Sequence, residues 1–108
     1  MTKEEILQIL KELKPKYEAE GFEILGLFGS YARDEATESS DIDILIDTKK
    51  EFLDKYRGFR AFAKFDDIKE ELKAVLHKEI DFVDRQGLLQ RGNEYIINKA
   101  IYVYGYRK

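Results

Sequence analysis

Cysteine is absent from the 108-residue chain, and proline and histidine occur once each. The lack of thiols excludes disulfides, thiolate zinc sites and a cysteine nucleophile. The single histidine, His77, falls at the end of a helical pattern, where satisfying the last carbonyls is its ordinary task, and it is not assigned a catalytic role. No apolar run approaches the roughly 18 residues of a membrane span. The opening Met-Thr-Lys-Glu-Glu is charged, unlike a secretory leader, so a cytoplasmic protein without membrane association is expected. An excess of positive charge is also missing. The net charge of −3 argues against a broad electrostatic grip on RNA or DNA, although a local basic patch stays open. Internal repeats and low-complexity linkers are absent, and the length suits one domain, residues 1–108, with a modest core.

What the chain does contain is a dense stretch from Gly26 to Asp47, GLFGSYARDEATESSDIDILID. An apolar run ends in Gly29-Ser30, a short polar segment follows, and a second apolar run opens with Asp41 and Asp43. The order reads as strand, turn with short helix, strand. Side chains alternate along a strand, so Asp41 and Asp43 share one face while Ile42, Ile44 and Ile46 point to the opposite, buried side. Two neighbouring carboxylates repel each other, and a hard divalent ion, Mg²⁺ or Mn²⁺, is their natural neutraliser. Gly29 lets the backbone approach a ligand closely, and Ser30 can cap the helix after it, so that the hydroxyl and free N–H groups face an anion. A phosphate cradle beside a carboxylate pair is equipment for phosphoryl or nucleotidyl transfer.

The run Gly29-Ser30-Tyr31-Ala32-Arg33, followed by Ser40-Asp41-Ile42-Asp43, resembles the Gly-Ser…Asp-x-Asp signature of the DNA polymerase β-like nucleotidyltransferases. The small size points to their minimal branch, the antitoxin partners of HEPN toxins. The resemblance implies an α/β (α+β) fold, a small mixed β-sheet with helices packed mainly on one side. It implies ATP as substrate and two Mg²⁺ ions, with Mn²⁺ an alternative, held by Asp41, Asp43 and a third carboxylate from the next strand. Asp81, inside the apolar segment Glu79–Asp84, matches that third position; the plainer reading is an outward polar residue on a half-exposed strand. Asp84 reads as a turn residue. Gly29 and Ser30 would hold the β- and γ-phosphates. Arg33 would contact the triphosphate, or support the loop by pairing with Glu35 or Asp41. Asp34 departs from the small residue, often Gly, that usually follows the arginine.

The resemblance further implies transfer of AMP from ATP to a tyrosine of a HEPN ribonuclease toxin, with acceptor recognition depending on that partner. Two rival readings stay open: an antitoxin that neutralises by contact alone, and an RNA-directed nucleotidyltransferase, which the acidic balance disfavours.

In the rest of the chain, Ile6, Leu10, Leu13 and Tyr17 have helical spacing behind a Thr2–Glu5 capping box, with Pro15 expected to kink or divide the helix and Gly21 to end it. Phe22–Phe28 is the first strand, and a short helix is expected from Ser30 to about Ala36. Phe52, Tyr56, Phe59, Phe62 and Phe65 recur at helical intervals broken by Gly58; they read as core or, alternatively, as a wall for a nucleotide base. Asp66 or Asp67 is expected to cap a helix with Ile68, Leu72, Val75 and Leu76 inward. A last helix is expected from about Asn93 and a terminal strand over Ile101–Tyr106, its Tyr102, Tyr104 and Tyr106 serving either as packing or as a docking face.

Overall fold

The computed structural model describes residues 1–103. Helix α1 (Lys3–Glu18) starts at Thr2, whose hydroxyl accepts the Glu5 N–H at 3.2 Å while the Glu5 carboxylate accepts the Thr2 N–H at 3.1 Å. This reciprocal cap satisfies two donors that a helix start leaves free. Pro15 does not divide α1 as expected. It lies so near the C-terminal end that its missing donor removes one rung close to where the ladder stops anyway. Gly21, at φ 87°, then turns the chain into β1 (Phe22–Phe28).

A single turn, α2 (Gly29–Ala32), follows, shorter than the helix expected to Ala36. Strand β2 (Ile42–Thr48) opens one residue after the expected start, which leaves Asp41 just outside it. Helices α3 (Lys50–Lys55) and α4 (Phe59–Leu76) cross over to β3 (Ile80–Asp84). Then come α5 (Arg85–Gln90), α6 (Glu94–Lys99) and β4 (Ile101–Tyr102). Asp84, read as a turn residue, caps α5 by accepting the Gln86 N–H at 3.0 Å.

Several expectations are corrected. Helix α4 does not begin at Asp66 or Asp67 but at Phe59, because Gly58 adopts φ 57° and turns the chain directly into it. Ile68, Leu72 and Leu76 are buried as expected, whereas Val75 is exposed. Of the aromatic series, Phe52 is core and Tyr56 and Phe65 pack against it, but Phe59 and Phe62 are 91% and 70% exposed. Both sit on the first turns of α4, beyond the reach of the sheet. His77 ends α4 in a left-handed conformation, and its backbone N–H, not its ring, answers the Lys73 carbonyl. Tyr104 and Tyr106 lie outside the described residues; Tyr102 donates its hydroxyl to the Ile97 carbonyl at 2.7 Å.

Among the described residues the strands form one mixed sheet, in the order β3-β2-β1-β4. Strand β2 runs antiparallel to β1 and parallel to β3. Helices α1 and α4 cover one face. The core there joins Ile6, Leu10 and Tyr17 of α1, Ile42, Ile44 and Ile46 of β2, and the buried α4 stripe around Phe22 and Phe52. Each such large apolar side chain contributes about 1.5–3 kcal/mol on burial.

A bulge in β1 decides what the other face carries. Ile24 pairs with Ile46 but Gly26 with Leu45, so Leu25 is the extra residue. The slip puts Leu27 into the core and turns Phe28 to the opposite face. The carbonyls at the bulge are answered: Ile24 accepts from the buried ammonium of Lys14, and Leu25 accepts the Val103 N–H at 2.8 Å. Gly26 is obligatory there, since a Cβ would run into the Ile101 carbonyl of β4.

Candidate active site

The bulge and the register of β2 and β3 bring three side chains into one row, Phe28 opposite Asp43 and Asp43 opposite Asp81. Asp43 therefore stands in the middle of the sheet face away from the core. Asp41 lies just before the strand and Asp81 on the next one; both are exposed, while Asp43 is partly buried. Sequence spacing places Asp41 near Asp43, but only the parallel pairing of β3 brings Asp81 beside them.

Gly29 closes the other side. It adopts φ 76°, and a Cβ on it would strike the Asp43 carboxylate. Both facts demand glycine at this position. Ser30 follows on α2. Arg33 ends that turn, and its Nε donates to the Glu35 carboxylate at 3.2 Å, both side chains being exposed. Its charge still reaches Asp43. Asp34 adopts φ 59°, which explains why a small residue suits this place, and its carboxylate turns away to pair with Lys3 at 2.9 Å.

Asp43 has neither a hydrogen bond nor an ion pair among the described residues. Burial pushes its carboxyl above the ordinary range, the nearby Asp81 and Asp41 push it further, and Arg33 offsets part of this. Such a group is stabilised by an added cation, and its donors are hard oxygens suited to Mg²⁺ or Mn²⁺. As the side chains stand, no three His, Cys, Asp or Glu residues among those described are gathered tightly enough to share one ion. The electrostatics fit a cation even though the shell is open.

Sequence reasoning missed the far wall of the site. Tyr95, Ile96 and Lys99 of α6 face Phe28, Gly29 and Arg33 across a cavity of about 180 Å³. The helical pattern after Asn93 was visible, but nothing local indicated which element α6 would meet.

A family model described as nucleotidyltransferase domain matches residues 3–103. Protein adenylyltransferase MntA of Thermococcus cleftensis is 34% identical over 107 residues, which cover 95% of this chain and 97% of that one. A solved structure assigned as a minimal nucleotidyltransferase superposes with a TM-score of 0.69 at 28% identity, covering 94% of this chain and 95% of its own. A toxin–antitoxin crystal structure with AMP-PNP shares the fold at 19% identity and a TM-score of 0.60, covering 99% of this chain and 76% of that one. The chain belongs to the nucleotidyltransferase domain family, in its minimal, MntA-like branch. It is thus a nucleotidyltransferase, and membership carries with it the use of a nucleotide and a metal ion. No helix among the described residues is long and apolar enough to cross a membrane.

Proposed function

We propose that this chain is the antitoxin of a toxin–antitoxin pair and transfers AMP from ATP to a tyrosine of its HEPN-type toxin. The observation that carries the reading is Asp43: a partly buried carboxylate without a partner among the described residues, between Asp41 and Asp81 and pressed against a glycine that admits no side chain. The likeness to MntA along nearly the whole of both chains supports protein, rather than RNA, as acceptor.

In the reaction the tyrosine oxygen bonds to the α-phosphorus, the bond to the bridging oxygen of pyrophosphate breaks, and the phenolic proton leaves. Asp41, Asp43 and Asp81 would hold Mg²⁺, or Mn²⁺, two ions in all, whose charge would offset the negative charge that grows on the entering and leaving oxygens. Asp81, exposed at the edge of the row, would also take up the phenolic proton. Gly29 and Ser30 present the backbone and hydroxyl to the β- and γ-phosphates. Most of the acceleration then comes from positioning and charge neutralisation.

The test is the intact mass of the cognate toxin after incubation with this chain, ATP and Mg²⁺, against an Asp41→Asn/Asp43→Asn control. An AMP-sized increase seen only with the unaltered chain is expected. No increase, together with undiminished neutralisation by the double variant, would replace this reading with neutralisation by contact alone.

A further inference from the structure

The Asp43 carboxylate lies where a Cβ on Gly29 would stand, and the same glycine lines the cavity between α2 and α6. Tyr95 and Lys99 are spaced four apart on α6, so they rise from the same face of the helix, and both line this cavity together with Arg33. Lys99 has no ion pair among the described residues, and Arg33 is engaged only by the exposed Glu35. Tyr95 keeps 60% of its surface exposed although it stands at a cavity mouth. In a chain of net charge −3, a lysine with no ion pair among the described residues, an arginine held by an exposed carboxylate and a largely exposed aromatic ring line one small opening.

Cations that are not neutralised by the protein suit an anionic ligand, and an exposed ring beside them suits a flat one. A nucleoside triphosphate has both parts. We propose that α6 completes the nucleotide site: Lys99 joins Arg33 in holding the polyphosphate, and the ring of Tyr95 stacks on the base. This rests on the proposed reaction, in which the triphosphate lies along Gly29 and Ser30. It also assigns a task to a helix that buries no residue fully and whose place in the fold is otherwise unexplained.

The division of labour is tested by calorimetric titration of the full chain with ATP and, separately, with inorganic tripolyphosphate, both with Mg²⁺. Lys99→Gln is expected to weaken both ligands about tenfold. Tyr95→Ala is expected to weaken ATP about tenfold and leave tripolyphosphate unchanged, while Tyr95→Phe, which keeps the ring, retains ATP affinity. Loss of the fold would weaken both ligands in every variant, so the split between ligands is the diagnostic. If Lys99→Gln and Tyr95→Ala bind both ligands like the unaltered chain while that chain still adenylylates its partner, the role of α6 is overturned and the proposed reaction stands. If the titrations split as expected but no AMP is transferred, the reaction fails and the α6 site stands. If the unaltered chain binds neither ligand, both are overturned.

Discussion

The two ends of β2 carry the same residue on the same face and treat it in opposite ways. At the far end, Asp47 accepts the Thr48 N–H at 2.9 Å and meets the Arg85 guanidinium of α5 at 3.5 Å. At the near end, Asp43 has no hydrogen bond or ion pair among the described residues and two carboxylates for company. Among the described residues, the fold pairs the aspartate at one end with a cation and leaves the aspartate of the proposed site without one. Local rules broken without local compensation are expected at functional sites, which agrees with the role proposed for Asp43.

The comparison breaks most visibly at Asp43. Asp43→Asn is expected to lower AMP transfer at least about a hundredfold, measured by single-turnover labelling of the partner. The same substitution is expected to raise the melting temperature of the metal-free chain. The sign follows from the raised pKa: the contribution of this carboxyl to stability is present below its unfolded pKa and lost as pH rises through the folded one. The advantage of Asn over Asp therefore vanishes in acid and grows towards neutrality. A melting-temperature difference constant with pH would contradict this account of Asp43.

Addition of Mg²⁺ probes the same end in reverse. It is expected to raise the melting temperature of the unaltered chain and to do much less for Asp43→Asn, since a ligand stabilises only the state that binds it. At the hinge of the site, Gly29→Ala forces a Cβ onto Asp43 and a strained backbone at φ 76°. About 1–2 kcal/mol of stability should be lost by chemical denaturation, with a larger loss of transfer.

The structural end should respond in the opposite sense. Asp47→Asn removes the charge facing Arg85 and is expected to cost about 1 kcal/mol, with transfer largely kept; an activity loss comparable to that of Asp43→Asn would erase the contrast. Smallest is Asp34→Gly, on the exposed loop. Relief of the left-handed backbone offsets the lost contact with Lys3 and the greater freedom of the unfolded chain, so stability should stay within about 0.5 kcal/mol.

Much of this contrast is legible in the chain before folding. The alternation of Ile42, Ile44 and Ile46 states which face of β2 is buried, and therefore where Asp43 points. Thr2 and Glu5 announce the start of α1 because their exchange is local. The middle segment was harder to read. Phe59 and Phe62 continue the spacing of Phe52 and Phe65, yet α4 carries them past the sheet, and a periodic pattern does not say how far the covering surface extends.

By itself the sequence determined the elements that rest on short-range chemistry: the capped first helix, the two central strands, the glycine before the turn and the carboxylate pair. Tertiary structure alone decided the rest. The bulge at Leu25 turns Phe28 towards the site, the parallel register sets Asp81 opposite Asp43, α5 brings Arg85 to Asp47, and α6 carries Tyr95 and Lys99 to Gly29. The physical reason is the same in each case. Neighbours along the chain act through local hydrogen bonds and side-chain alternation, whereas pairing between distant strands and helices is chosen by the packing of the whole core.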